Sequence, residues 1–201
     1  MYHNFHPDST ILDFCSDAML EGWKADKGND KTADEAFDAY VKFYNKCFER
    51  PDDMHLGIHL CRGNYVGSRH FSEGAYDIIA KKLFQDLNVD TYYLEYDTPR
   101  AGGFEPLVHL PKNKNVVLGV ITSKFPALED KDEMVARVHQ AADFIAKGSD
   151  QSREEALQRV CVSPQCGFAS HAEGNALGYE DMRKKLQLVR GIADAVWSGE
   201  P

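Results

Sequence analysis

The stretch NVVLGVIT at positions 115–122 constrains the fold of this chain more than any other. It is apolar almost without interruption, whereas a strand with one face in water alternates apolar and polar residues. Continuous apolar character is typical of a parallel strand that is buried on both faces. Parallel neighbours need a crossover of about a dozen residues or more, so helices are expected on either side.

Strand-like and helix-like segments alternate around this stretch. Strands are predicted at 54–61, 91–96, 115–122 and 160–162. Helices are predicted at 11–23 (after a cap at 8–10), 32–48, 74–88, 129–147, 152–159 and 179–197. The helix at 32–48 should begin at a capping box formed by Thr32 and Glu35, with Phe43 on its buried face, and the acidic run at 129–133 should form the N-terminus of the helix at 129–147. Strands that alternate with helices indicate βαβ units around a parallel sheet. Four such units in a row, preceded by helices, correspond to half of a (β/α)8 barrel, so we predict an α/β fold of TIM-barrel type.

Length, charge and cysteine content narrow the class of protein. The 201 residues suffice for a single domain, 1–201, with a substantial core. A formal net charge of −9 argues against nucleic acid or an anionic membrane as the main partner. The N-terminus lacks a signal-peptide pattern, and no apolar run approaches the length of a membrane span. The odd number of five cysteines favours reduced thiols, some of them metal-bound, in a cytoplasmic protein.

Unusual polar residues follow three of the predicted strands. His59 and Cys61 are two positions apart, so an imidazole and a thiol would project from the same face of one strand end. Glu95 stands near the end of the second strand, where a carboxylate is out of character for a buried segment. Cys166 comes directly after the fourth strand, in SPQCG. The alternative is a packed cysteine and a hydrogen-bonded histidine without a metal.

These four side chains should meet at the carboxyl edge of the sheet, where barrel enzymes place their chemistry. Two thiolates, one imidazole and one carboxylate oxygen are sufficient for tetrahedral zinc. Thiolates favour zinc over magnesium or calcium, which prefer shells made of oxygen. The sequence therefore predicts a Zn²⁺ site formed by His59, Cys61, Glu95 and Cys166.

The residues of this predicted site, and the segments around them, resemble those of a known family. It is similar to the C-terminal catalytic barrel of cobalamin-independent methionine synthases, and especially to their smaller, uncharacterised relatives. The similarity is spread over residues 54–197 and is carried by HLC at 59–61, TYYLEYD at 91–97, VVLGVITSK at 116–124 and SPQCG at 163–167. The stretches CRGNYVGSRHFSEGAYD and CGFASHAEGN look most like the smaller relatives. In this family an H-x-C pair, a strand-end Glu and a later Cys bind zinc.

The resemblance implies a zinc-dependent S-methyltransferase of methionine biosynthesis. The zinc would bind the thiol of homocysteine, or of a similar substrate, and make it a thiolate at neutral pH. The thiolate would take a methyl group, in the family that of a 5-methyltetrahydrofolate polyglutamate. The implied activity resembles that of 5-methyltetrahydropteroyltriglutamate–homocysteine S-methyltransferase.

Two departures from the family pattern qualify this expectation. Lys124 stands where the synthases carry the His that is thought to protonate the folate leaving group. Lys124 is a candidate catalytic acid, and the alternative is a solvated loop residue. Lysine in place of histidine is compatible with a methyl donor other than folate. The family barrel has eight strands, and only four are predicted here. We therefore expect a C-terminal half-barrel that pairs with a copy of itself or with a missing N-terminal half.

Three other functions stay open from the sequence. The chain could be a zinc-binding half-barrel without turnover, or a thiol methyltransferase that uses a methyl-corrinoid or a methylated sulfur compound. A barrel decarboxylase of the related porphyrin family is a more distant alternative. The residues that could contact a substrate from the loops are His70, His171, Arg62, Asn64 and Arg69.

Overall fold

The computed structural model describes residues 3–5 and 10–199. The strands are β1 (His3–Phe5), β2 (Leu56–Leu60), β3 (Thr91–Glu95), β4 (Asn115–Ile121) and β5 (Val160–Pro164). The helices are α1 (Thr10–Asp13), α2 (Asp17–Ala25), α3 (Ala33–Cys47), α4 (Ala80–Asp86), α5 (Lys131–Ser149), α6 (Arg153–Leu157) and α7 (Tyr179–Val196). Short 3-10 turns lie at Val66–Ser68, Tyr76–Ile78, Pro99–Ala101 and Glu105–His109. The helix cap predicted at 8–10 lies mostly outside the described residues.

The strands form one parallel sheet in the order β1-β2-β3-β4-β5, so each strand pairs with the next strand of the chain. This sequential order differs from that of a doubly wound fold, in which the strand order reverses at a switch point. Four of the strands were predicted from the sequence, and β1 was missed. β1 has only three residues, too few for a periodic pattern, and it pairs with the start of β2.

β4 contains the apolar stretch at 115–122 that predicted a buried parallel strand. Residues 116–121 of β4 are all buried, and α5, the longest described helix, packs close to the sheet. Its buried stripe contains Met134, Val138, Ala142 and Ile145, at the three- and four-residue spacing of an amphipathic helix. The carboxyl ends of β2, β3 and β4 are therefore held by a well-packed core.

Local sequence signals explain where several helices begin. The capping box predicted at Thr32 and Glu35 is confirmed: each side chain bonds to the backbone N–H of the other residue. Asp130 caps α5 through the N–H of Glu133, so the acidic run there does form a helix N-terminus. The helix predicted at 11–23 is interrupted, because the Ser16 side chain caps a new helix, α2. The helix predicted at 74–88 contains a 3-10 turn before α4.

A closed barrel is not confirmed. Within the described residues β1 and β5 are the two edges of an open sheet, and neither pairs with a further strand. The fold is therefore α/β with a parallel sheet, and the TIM-barrel type stays a prediction. In the same part of the chain, no helix has the length and apolar character that a membrane span requires.

Candidate metal centre

His59, Cys61 and Cys166 come together at the carboxyl end of the sheet. His59 belongs to β2, Cys61 follows its last residue, and Cys166 follows β5. Sγ of Cys166 lies 3.4 Å from Nε2 of His59. One ligand atom from each of the three residues lies within 4.8 Å of the other two. Two sulfurs and one imidazole nitrogen at this spacing are a donor set that fits zinc.

The loop after β5 reaches this centre because an irregularity in β4 makes space for it. The register between β4 and β5 shifts between Gly119 and Ile121, and the N–H of Gln165 bonds to the carbonyl of Ile121 at 2.8 Å. A Cβ atom at position 119 would lie 2.7 Å from Cα of Gln165. Glycine at position 119 therefore lets the Gln165–Cys166 segment pass over the sheet toward β2.

The two thiols of the centre differ in acidity. A hydrogen bond between the Cys61 and Cys166 side chains lowers the pKa of Cys61, and His59 lowers it further against the effect of burial. The same hydrogen bond raises the pKa of Cys166, and burial adds to the rise. The lowered pKa of Cys61 favours metal binding, since the thiolate is the form of a cysteine that binds metals.

Glu95, the fourth predicted ligand, ends β3 and is fully buried. Its Oε2 accepts a hydrogen bond from the backbone N–H of Arg62 at 2.6 Å, and its Oε1 accepts one from Nη2 of Arg100 at 2.9 Å. Burial would raise the pKa of Glu95, but the Lys124 cation and these hydrogen bonds outweigh it and lower the pKa to about 2. Among the described residues, Glu95 is not part of the group of three close ligand atoms.

Lys124 is buried, and the expectation of a solvated loop residue is wrong. The side chain is 1% exposed, because its ammonium group bonds to Oε1 of Glu95 at 3.1 Å and to Oδ2 of Asp97 at 2.9 Å. Asp97 and Arg100 thus complete an ion-pair cluster that we did not predict from the sequence. The stretch LEYDTPR at 94–100 could have indicated this cluster, because it carries two acidic residues and one basic residue at a buried strand end.

A cleft of about 570 Å³ opens beside the three candidate metal ligands. Its remaining lining residues are apolar, aromatic or uncharged polar: Ile11, Leu12, Leu60, Gly63, Asn64, Tyr65, Phe71, Gly167, Ala169, Ser170 and His171. The rings of Tyr65 and His171 stack with centroids 4.8 Å apart. Nε2 of His171 is buried without a hydrogen-bond partner among the described residues, which leaves one polar group available in the cleft wall.

Amide side chains tie together the loops that frame the cleft. Nδ2 of Asn64 donates to the carbonyl of Gly167 at 2.7 Å and to Oγ of Ser170 at 2.6 Å. Nδ2 of Asn175 donates to Oδ1 of Asn64 at 2.8 Å and to the carbonyl of Ser123 at 3.0 Å. The loops after β2, β4 and β5 are therefore cross-linked around the metal centre, which holds Cys166 in place.

The other loop residues named from the sequence divide into three groups. Arg62 is fully buried, and its guanidinium bonds to the carbonyl of Gly74 and lies over the ring of Tyr76. It is a structural residue of the loop and not a ligand for a substrate anion. His70 and Arg69 are exposed and do not line the cleft as described; Nδ1 of His70 accepts a hydrogen bond from Nη1 of Arg100 at 2.8 Å. Asn64 and His171 do line the cleft.

Comparison with known sequences gives relatives whose activity is not established. No protein-family model matches the chain. The chain is 41% identical over 168 residues to the uncharacterized protein YxjG of Bacillus subtilis, a match that covers 83% of this chain and 42% of YxjG. It is also 41% identical over 150 residues to YxjH of the same organism, which covers 74% of this chain and 37% of YxjH. The chain thus spans less than half the length of either relative.

Solved structures that are similar to this chain include two proteins named as methionine synthases. A Listeria monocytogenes protein provisionally named a vitamin-B12-independent methionine synthase aligns with a TM-score of 0.64 at 27% identity, over 99% of this chain and 48% of its own. A B12-independent methionine synthase from Shewanella sp. W3-18-1 aligns with a TM-score of 0.61 at 21% identity, over 81% of this chain and 44% of its own, and shows a shared fold. This chain is therefore similar in structure to about half the length of each of two proteins named as B12-independent methionine synthases.

Proposed function

We propose that this chain carries the zinc centre of an S-methyltransferase that moves a methyl group to a thiol such as homocysteine. The observation that carries the proposal is the grouping of His59, Cys61 and Cys166 within 4.8 Å, at the carboxyl end of a parallel sheet. The similarity to proteins named as methionine synthases supports it. The methyl donor is a methyltetrahydrofolate polyglutamate or another methylated compound, and the setting is methionine biosynthesis.

The residues of the centre have separable roles. His59, Cys61 and Cys166 would hold zinc; Glu95, the fourth donor predicted from the sequence, lies outside this close group among the described residues. When bound, zinc would supply the Lewis-acid chemistry that lowers the pKa of a substrate thiol. Asn64 and Asn175 fix the loops that carry the cysteines, so the donor atoms need little rearrangement.

The cleft beside the centre is the proposed binding place of the thiol. It is contiguous with His59, Cys61 and Cys166, and its lining residues carry no carboxylate, ammonium or guanidinium group within the described chain. Contacts to the ammonium and carboxylate of an amino acid substrate would then come from elsewhere, since buried charges need charged or polar partners. The half of the relatives that this chain does not match is the proposed source of those contacts.

The proposed setting is the reducing cytoplasm. Cys47 and Cys161 are exposed free thiols, which would be prone to oxidation in a secreted protein. The cysteines of the metal centre also need to stay reduced in order to bind a metal. Both observations support a location in which thiols are kept reduced.

The match to less than half of YxjG favours a second function. Because the chain matches less than half of YxjG, it could bind zinc without catalysing methyl transfer by itself. The test is to add, in trans, the segment of YxjG that this chain does not match, and to measure methionine formed from homocysteine and a methyl donor. Methionine formed only with both polypeptides supports the methyltransferase. Zinc binding without methionine, for folate and non-folate donors alike, would leave the zinc-binding function.

A further inference from the structure

Ser123 lies in the loop after β4 and is completely buried. Its backbone N–H and its hydroxyl group both donate to Oε1 of Gln165, at 3.1 Å and 2.6 Å. Its carbonyl accepts a hydrogen bond from Nδ2 of Asn175 at 3.0 Å. Every polar group of Ser123 is therefore bonded to the connection between β5 and α7, which is the segment that contains Cys166.

Gln165, the residue before Cys166, is anchored to the end of β4 by three hydrogen bonds. Besides the two from Ser123, its own N–H donates to the carbonyl of Ile121 at 2.8 Å. Because Ser123 presents two donors, the amide oxygen of Gln165 must face them, and the orientation of this buried amide is fixed. The backbone next to Cys166 therefore has little freedom to move relative to β4.

Asn175 connects Ser123 to the other side of Cys166 as well. Nδ2 of Asn175 also donates to Oδ1 of Asn64 at 2.8 Å. Nδ2 of Asn64 in turn donates to the carbonyl of Gly167, the residue after Cys166, at 2.7 Å. Hydrogen bonds thus lead from Ser123 to both sequence neighbours of Cys166.

Cys166 depends on such an anchor more than the other two close ligands do. His59 and Cys61 come from one segment at the end of β2, whereas Cys166 comes from the loop after β5. Its Sγ must nevertheless lie near the other two donor atoms, and it is 3.4 Å from Nε2 of His59. Metal ligands need to be held within about 0.5 Å of their productive positions. A small displacement of the loop would therefore separate the three donor atoms.

We propose that Ser123 is a positioning residue of the metal centre, which holds Cys166 beside His59 and Cys61 by fixing Gln165 and Asn175. The inference rests on the zinc site of the proposed function. It extends that function to the loop after β4, because a residue of this loop would determine how well the ligand from the β5 loop meets the metal.

Ser123→Ala tests this role, and Ser149→Ala is the matched control. Ser149 is also buried, and its hydroxyl group also donates to a glutamine, Oε1 of Gln151 at 2.8 Å, but at the C-terminal end of α5. Both variants should lower the midpoint of thermal unfolding by about 2–4 °C, since each loses hydrogen bonds. Only Ser123→Ala should weaken zinc binding, by about tenfold in chelator competition. Only Ser123→Ala should shift the sulfur-to-cobalt charge-transfer band of the cobalt-substituted protein.

A double-variant cycle tests whether Ser123 acts through Gln165. Gln165→Met keeps a side chain of similar length and removes the acceptor, so it should also weaken zinc binding and shift the cobalt band. In the Gln165→Met protein the hydroxyl group of Ser123 has lost its acceptor, and adding Ser123→Ala should change the dissociation constant of zinc by less than about threefold. Losses of affinity that multiply would show that the two residues act independently and would overturn the inference.

The outcomes separate this inference from the proposed function. If the wild-type chain binds neither zinc nor cobalt, the proposed function fails, and the inference fails with it. If the wild type binds zinc and Ser123→Ala has the same affinity and cobalt spectrum, only the inference fails. An equal loss of zinc affinity in Ser149→Ala would indicate a general effect of lost stability and would also overturn it. If Ser123→Ala does not fold, Gln165→Met decides: an unchanged affinity and spectrum would contradict the anchoring of Cys166.

Discussion

Sγ of Cys166 lies 3.4 Å from Nε2 of His59, although the two residues are 107 positions apart in the chain. The contact crosses from the end of β2 to the loop after β5, over two intervening strands. Cys61 belongs to the same group of close ligand atoms, all within 4.8 Å of one another. The contact thus supports a metal centre as the reason for the shape of the β5 loop.

Zinc should bind with a stoichiometry of one per chain. Cys61→Ser and Cys166→Ser should each reduce the zinc content to near zero, because each removes one of the three close ligand atoms. Cys15→Ser is the matched control, since Cys15 is buried in the hydrophobic core and should leave the zinc content unchanged. Elemental analysis after gentle purification checks both results. Zinc that is retained in the Cys166→Ser protein would remove Cys166 from the site.

Bound zinc should protect Cys61 from alkylation. In metal-free protein, iodoacetamide should modify Cys61, whose pKa is lowered, together with the exposed Cys47 and Cys161. After zinc addition only Cys47 and Cys161 should react, because a metal-bound thiolate is a poor nucleophile. Cys15 should stay unmodified in both states, since burial raises its pKa to about 12. Peptide mass spectrometry reads each position, and equal modification of Cys61 with and without zinc would contradict the proposed ligand.

The open edges of the sheet should drive self-association. β1 and β5 carry unpaired edges in the described chain, and exposed parallel edges are prone to pairing with other chains. Light scattering at micromolar concentration should give at least twice the mass of one chain. Cys161→Lys places a charge on an exposed position of β5 and should shift the protein toward monomer. A monodisperse wild-type monomer would count against the half-barrel interpretation.

Gly119→Ala should destabilise the protein and weaken zinc binding. The new Cβ would lie 2.7 Å from Cα of Gln165 and 2.8 Å from the carbonyl of Leu94, so the segment that carries Cys166 must move. We expect the free energy of unfolding to fall by about 1–3 kcal/mol, as for other overpacked positions. Urea denaturation measures this change, and chelator competition measures the loss of zinc affinity.

Gly22→Ala is the control for this glycine substitution. Gly22 is exposed in α2, and a Cβ there would meet nothing within 4 Å. Alanine should raise the free energy of unfolding by about 0.5–1 kcal/mol, because it favours the helix, and should leave zinc affinity unchanged. An equal effect of the two substitutions would contradict the close approach of the β5 loop to β4.

The sequence was sufficient to predict the parts of the fold that depend on local pattern. The apolar run at 115–122 predicted β4, and the capping box at Thr32 predicted the start of α3. His59 and Cys61 were paired by the two-residue period of a strand, and Cys166 by its position after a later strand. In the structure these three side chains lie close together, because parallel strands bring their carboxyl ends to one edge.

Features that depend on contacts between distant segments could not be read from local pattern. Lys124 follows an ordinary strand, and nothing next to it in the sequence shows that Glu95 and Asp97 surround its ammonium group. The helix predicted at 32–48 was right in extent, yet Phe43 was assigned to the buried face and is 60% exposed. Periodicity places an aromatic residue on a face, but only the neighbouring elements determine whether that face is covered.

The most direct test of the central claim is the number of sulfur atoms around zinc with and without a thiol. Zinc X-ray absorption of the resting protein should show two sulfurs, from Cys61 and Cys166, together with nitrogen or oxygen. Saturating homocysteine should raise the count to three, because a thiolate is a softer ligand than the oxygen it replaces. Calorimetry in two buffers should detect the released proton. A count that stays at two under saturating thiol would contradict thiol activation and indicate a closed structural site.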